Sequence, residues 1–160
     1  MKLSLEHLIA MRSREGIALH DDLAGHLDFI AERLAQINEF APGVVGDYEK
    51  RLKVRMESLI SDSGAEIDHG DLIREIAVYA EKTDIAEEIS RLGEHLIHFR
   101  DMLGDESGRP IGRTMDFLAQ ELLREANTIA SKSPDAKMSR LIVEIKGAID
   151  RIKEQVQNVE

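Results

Sequence analysis

The sequence predicts an all-α protein, an elongated helical bundle, on three observations. Apolar residues recur in steps of three and four along most of the chain, the spacing of one helix face. Leu, Ile, Ala, Glu and Arg dominate, while aromatics are only 4% of the 160 residues, with no Trp and three Pro. That balance favours helix over sheet. No segment alternates apolar and polar residues for long enough to suggest a strand.

The first helix is expected from near Leu5 to Phe40. Within it Leu23, Leu27, Ile30, Leu34 and Ile37 alternate steps of four and three, a coiled-coil-like seam. Gly16 weakens this helix locally, by roughly 1 kcal/mol against Ala. Ala41-Pro42-Gly43 is expected to break it. A second helix follows from near Val44 to Ile60, with Val45, Tyr48, Leu52, Met56 and Leu59 inward. A tight break between two such helices predicts an antiparallel hairpin. Residues 1–62 are therefore expected to form a helical hairpin arm, and residues 63–160 a C-terminal helical bundle, within a single domain overall.

Ser61 to Asp71 is the most loop-like segment. A short helix is expected from about Leu72 to Ala80, ending near Lys82-Thr83-Asp84, which can cap the next. That next helix carries Ile85, Ile89, Leu92, Leu96, Phe99 and Leu103 on one side. Gly104 to Gly112 holds three Gly and a Pro and predicts a mobile loop. The following helix, to about Ser133, buries Met115, Leu118, Leu122 and Ile129. Ser133 then reads as an N-cap, with Pro134 at the first position of a last helix. Leu141 or Ile142, Ile145, Ile149, Ile152 and Val156 form its inner face.

A chain of 160 residues suits one domain with a real core. With no Cys, disulfides, thiolate metal sites and Cys nucleophiles are excluded. A reducing cytoplasm is the expected location. No run of about eighteen apolar residues exists, so no membrane span or membrane partner is expected. The opening MKLSLEHLIAMRSREG lacks a signal-peptide core and enters helical periodicity at once, as a chain that begins mid-protein would. The formal net charge is −10, from 31 acidic and 21 basic residues. That argues against nonspecific coating of nucleic acid, which needs positive charge. Two local basic clusters remain, Arg12 with Arg14, and Lys50, Arg51, Lys53 and Arg55. Solvated helix surface is the plainer reading of both.

Chemistry concentrates on two helices. On the one from Asp84, Glu88, Arg91, His95 and His98 form a stripe beside the apolar seam. On the one from Arg113, Asp116, Gln120, Arg124 and Asn127 form one polar stripe, and Glu121, Glu125 and Thr128 its neighbour. If these helices pack together, carboxylates and imidazole meet in one cleft. Glu88, His95, Glu121 and Glu125 are the candidate ligands. An oxygen-rich set with an occasional imidazole suits Mg²⁺ or Mn²⁺ rather than structural Zn²⁺. Such an ion activates water and stabilises charge developing on a phosphate. Arg124 and Lys132 would clamp that phosphate, Arg in bidentate fashion, while Gln120 and Asn127 hold sugar hydroxyls or waters. Each residue also has a plainer reading, as a surface salt bridge, a flanking histidine or an inter-helix polar network. His7, His20, His26, His69 and His98 are read as structural or exposed. No P-loop, dinucleotide fingerprint, zincin helix or nucleophile elbow appears, so no small organic cofactor is expected.

The segment GRPIGRTMDFLAQELLREANTIASKS resembles the signature of the C-terminal region of the YicC/YloC family of bacterial endoribonucleases. The likeness extends upstream through KTDIAEEISRLGEHLIHF and downstream through VEIKGAIDRIKEQVQNVE. MRSREGIALHDDL and the APGVV segment resemble the start of that region's helical arm. The resemblance implies a metal-dependent endonuclease acting on RNA, assembled as a ring-like homo-oligomer, with a β-rich N-terminal half that is missing here. Carried over by position, it marks Glu88, Arg91, His95, Arg113, Asp116, Gln120, Glu121, Arg124, Glu125, Asn127, Thr128, Ser131, Lys132 and Ser133. Of these we assign Glu121, Glu125 and His95 to catalysis, and Arg113, Asp116, Gln120, Arg124, Asn127 and Lys132 to RNA. Leu122-Leu123 depart from the family pattern, which often has a polar Asn at the second position. A non-catalytic helical module that builds an oligomer or clamps RNA is the alternative.

Overall fold

Five helices follow one another, and no strand is present among the described residues, which are 2–63, 69–105, 110–133 and 135–157 of this computed structural model. They are α1 (Lys2–Ser63), α2 (His69–Lys82), α3 (Ala86–Leu103), α4 (Gly112–Lys132) and α5 (Ala136–Val156). The all-α bundle is as the apolar spacing predicts. The central parts of the two expected loops, residues 64–68 and 106–109, lie outside the described residues.

The turn expected at Ala41-Pro42-Gly43 does not exist. α1 runs for 62 residues with Pro42 inside it, a rod about 90 Å long at 1.5 Å per residue. No antiparallel hairpin forms within it. An interior Pro forfeits a backbone hydrogen bond and costs about 3 kcal/mol. Packing on both sides of Pro42 offsets this. Ile37 is fully buried, and Phe40, Ala41 and Val44 pack half-buried against the core, so the apolar seam crosses Pro42 without changing register. Pro42 and Gly43 themselves face outward. Farther along, the Tyr48 ring stacks on Tyr79 of α2 with centroids 3.6 Å apart. The later part of α1 is thus partnered by α2 rather than by folding back on its own first half.

One core joins α1, α3, α4 and α5. Leu23, Leu27, Ile30, Leu34 and Ile37 of α1 enter it with Leu92, Leu96 and Phe99 of α3. From α4 come Met115, Leu118, Leu122 and Ile129, and from α5 Ile142, Ile145, Ile149, Ile152 and Val156. Each such side chain contributes about 1.5–3 kcal/mol when fully buried. α1 packs chiefly on α5, and α4 lies between α3 and α5. Polar pairs pin the edge of the α1–α5 seam, with Arg33 Nε donating to Glu144 at 2.5 Å and Gln155 donating to Asp22 at 3.1 Å.

The cap of α5 also differs from expectation. Asp135, not Ser133, is its N-cap, accepting hydrogen bonds from the N–H groups of Lys137 at 2.8 Å and Met138 at 3.1 Å. Those are the second and third helical positions, where a capping carboxylate reaches. Ser133 instead ends α4. No helix of the described residues is long and apolar enough to cross a membrane.

Candidate metal centre at the seam of two helices

Local sequence sets both ends of this seam. Asp84 Oδ1, one residue before the Ile85 N-cap, accepts a hydrogen bond from the N–H of Ala86, the first residue of α3, at 3.1 Å. Glu87 and Glu88 fall in its first turn, where the helix dipole favours negative charge. Lys132 falls in the last turn of α4, where the dipole favours a cation. The helices run antiparallel, so these ends meet. Lys132 Nζ donates to Glu88 Oε1 at 2.9 Å.

Steps of three and four carry the stripe onward, through Arg91 and His95 on α3 and through Glu125 and Glu121 on α4. Arg91 Nη1 lies 3.7 Å from Glu125, while its other guanidinium arm donates to Glu87 one turn back on α3. Glu87, with Glu125 and Glu88 nearby, raises the Arg91 pKa above its already high range, so this guanidinium stays charged. Beyond Arg91, His95, Glu121 and Glu125 offer ligand atoms that all lie within 4.8 Å of one another.

The group carries a desolvation cost. Glu125 is 4% exposed and Glu88 7% exposed. A buried carboxylate is tolerated when paired and hydrogen-bonded. Glu88 meets that condition through Lys132. Glu125 meets it poorly, since its ion pair with Arg91 is longer than a hydrogen bond. Glu121 is likewise 3.7 Å from Arg124. His95 Nδ1 is buried and has no hydrogen-bond partner among the described residues, although buried polar atoms nearly always have one. An imidazole whose Nδ1 is orphaned and two loosely compensated carboxylates thus meet in one cluster. Two oxygen donors and one imidazole fit Mg²⁺ or Mn²⁺. His95, Glu121 and Glu125 would hold such an ion, since their donor atoms lie within 4.8 Å of one another.

His95, Glu121 and Glu125 are therefore brought together as the sequence predicts. Glu88 is not among them, because Lys132 holds its carboxylate, and Lys132 is engaged there in turn. The outward stripe of α4 stands apart. Arg113, Gln120, Arg124 and Asn127 are exposed and Asp116 is half-buried, with Gln120 donating to Asp116 at 2.8 Å. The Thr128 and Ser131 hydroxyls donate to carbonyls of their own helix. Glu87 escaped the sequence reading, although its spacing of four from Arg91 is the signal for such a pair. In the basic cluster of α1, Lys53 pairs with Glu49 and Lys50 with Asp47 along the same helix.

Fold and seam define an α-helical protein with a histidine–carboxylate cluster between two antiparallel helices. The chain belongs to the YicC-like family: residues 37–160 match the family described as "Endoribonuclease YicC-like, C-terminal". It is 39% identical over 157 residues, 98% of its length, to "Probable endoribonuclease YicC" of Clostridioides difficile (strain 630). It is 37% identical over 156 residues, again 98% of its length, to the protein of the same name from Haemophilus influenzae. It covers 53% of the first relative and 52% of the second, so the chain spans about half the length of these curated relatives.

Proposed function

We propose that the chain is the C-terminal helical portion of a metal-dependent endoribonuclease that cleaves RNA phosphodiester bonds. The observation that carries the reading is the meeting of His95, Glu121 and Glu125 across the α3–α4 seam, with His95 Nδ1 buried and unmatched. The names of the two relatives supply the reaction class. His95, Glu121 and Glu125 would hold Mg²⁺ or Mn²⁺. When bound, such an ion activates water and stabilises negative charge developing on a phosphate. Arg113, Gln120, Arg124 and Asn127, with the half-buried Asp116, present a polar face to RNA, on which Arg124 offers a bidentate fork for a phosphate. Glu88 and Lys132 brace the end of the cleft through their ion pair. The protein acts in the cytoplasm on RNA, together with further copies of itself.

The alternative is a helical module that assembles copies or clamps RNA while the chemistry lies elsewhere. Its support is the first part of α1, where Leu8, Ile9, Met11 and Ile17 are each at least half exposed. Exposed apolar residues in such number along one helical segment mark a surface that associates.

The test joins this chain to the N-terminal half of the Clostridioides difficile relative and follows RNA cleavage with Mn²⁺ and with chelator. The expected result is cleavage with metal, none with chelator, and none in Glu121→Gln despite an unchanged melting temperature. Cleavage that ignores both chelator and Glu121→Gln contradicts the reading. RNA binding with neither cleavage nor Mn²⁺ binding favours the alternative.

A further inference from the structure

The seam places four carboxylates, Glu87, Glu88, Glu121 and Glu125, against three cations, Arg91, Arg124 and Lys132. The local balance is one negative charge, on a protein whose formal net charge is −10. A phosphodiester is repelled by that arrangement. A divalent ion among His95, Glu121 and Glu125 reverses the local sign.

Arg124 stands 3.7 Å from Glu121, and the cation at the more deeply buried Glu125 is Arg91. Its two arms are held unequally, one by a hydrogen bond to Glu87 on its own helix and one by a loose 3.7 Å approach to Glu125. Its side chain is half exposed, whereas that of Glu125 is only 6% exposed. Mg²⁺ or Mn²⁺ binding Glu125 would take over the neutralising role that Arg91 fills. Glu87 would still anchor the guanidinium beside the ion, with its remaining N–H groups free to turn to solvent. A guanidinium presents five donors in a fork matched to phosphate oxygens.

Resting on the metal-dependent reading above, we propose that Arg91 is a phosphodiester-binding residue that the metal releases. It shields Glu125 before the ion arrives and engages an RNA phosphate after it. Metal and RNA binding are then positively coupled, each tightening the other by the same factor. Arg91 opposes the metal and favours the RNA.

This opposition makes the test specific. Mn²⁺ affinity is measured by titration calorimetry, and affinity for a short 2′-O-methyl RNA, which resists cleavage, by fluorescence anisotropy at fixed salt. Both use the 160-residue chain. In the wild type, saturating Mn²⁺ is expected to tighten RNA binding. Arg91→Ala is expected to bind Mn²⁺ about two- to fivefold more tightly, the worth of an exposed ion pair removed from Glu125. The same variant is expected to bind RNA in saturating Mn²⁺ about ten- to a hundredfold more weakly. Arg91→Lys, which keeps the charge and loses the fork, should restore wild-type Mn²⁺ affinity and only part of the RNA affinity. Arg91→Gln serves as a second neutral variant, and circular dichroism melting verifies that each is folded. Weaker Mn²⁺ binding in the neutral variants, or unchanged RNA affinity, overturns the proposal while leaving the metal site standing. Absence of Mn²⁺ binding in the wild type overturns the metal site and this proposal with it.

Discussion

The α1–α5 seam and the α3–α4 seam begin from the same apolar spacing, yet they treat charge in opposite ways. Along α1 and α5 the apolar seams are buried, Leu23, Leu27, Ile30 and Ile37 against Ile142, Ile145, Ile149 and Ile152, and ionic pairs such as Arg33 with Glu144 stay at the rim. Along α3 and α4, carboxylates enter the buried zone itself, at Glu88 and Glu125. Water solvates the first arrangement at little cost. The second must be compensated by partners, because burying an ion costs several kcal/mol after relaxation. Stability alone gives no reason to keep Glu125 where an apolar residue would pack. On the function proposed above, scaffolding falls to one seam and chemistry to the other.

The largest expected effect lies in the scaffold. Ile145→Ala removes a fully buried side chain of α5 and should cost about 2–5 kcal/mol in denaturant unfolding. Mn²⁺ affinity per folded molecule should not change. A selective loss of metal binding in this variant would break the division between the seams.

A smaller loss is expected at the braced end of the α3–α4 seam. Lys132→Ala leaves the buried Glu88 carboxylate without its cation, at a cost of about 1–3 kcal/mol in the same unfolding experiment. Mn²⁺ titration of this variant should match the wild type, since Glu88 is held apart from the His95, Glu121 and Glu125 group. Tighter Mn²⁺ binding would mean that the freed Glu88 belongs to the metal group after all.

The smallest effect on folding is expected on the outward face of α4. Arg124 is exposed, and Arg124→Ala should change stability by no more than about 0.5 kcal/mol. RNA affinity at fixed salt should nevertheless fall about ten- to a hundredfold. Lower melting or dissociation of an assembly, with RNA handling per folded assembly intact, would make this stripe architectural.

Helix faces were legible in the sequence because apolar periodicity and burial share one cause. Leu23, Leu27, Ile30, Leu34 and Ile37 are buried as their spacing requires, and so are Met115, Leu118, Leu122 and Ile129. The stripes carrying His95, Glu121 and Glu125 followed from the same spacing. Two local signals failed against packing. Pro42 normally breaks a helix, but with Phe40, Ala41 and Val44 packed on either side and the Tyr48–Tyr79 stack beyond, α1 continues through it. The Ser133-Pro134 pair reads as an N-cap and first helical position, but the Lys137 and Met138 N–H groups donate to Asp135 instead. Register between helices was the remaining gap. A face can be read from one helix, whereas the pairing of Glu88 with Lys132, 44 residues away, depends on how two helices slide past each other.

The central claim is that Glu125 is kept in the α3–α4 seam to hold a divalent cation. Calorimetric Mn²⁺ titration of the wild type and Glu125→Gln, paired with melting in chelator and in excess Mn²⁺, tests it most directly. The wild type should bind Mn²⁺ and gain about 2.7 kcal/mol at a free concentration of roughly one hundred times its dissociation constant. Glu125→Gln should lose Mn²⁺ binding by at least about tenfold and melt in chelator no lower than the wild type, since a neutral amide is cheaper to bury than a loosely paired carboxylate. Equal Mn²⁺ stabilisation of the two proteins would contradict the account, as would a wild type that gains nothing from Mn²⁺ and a variant that melts well below it.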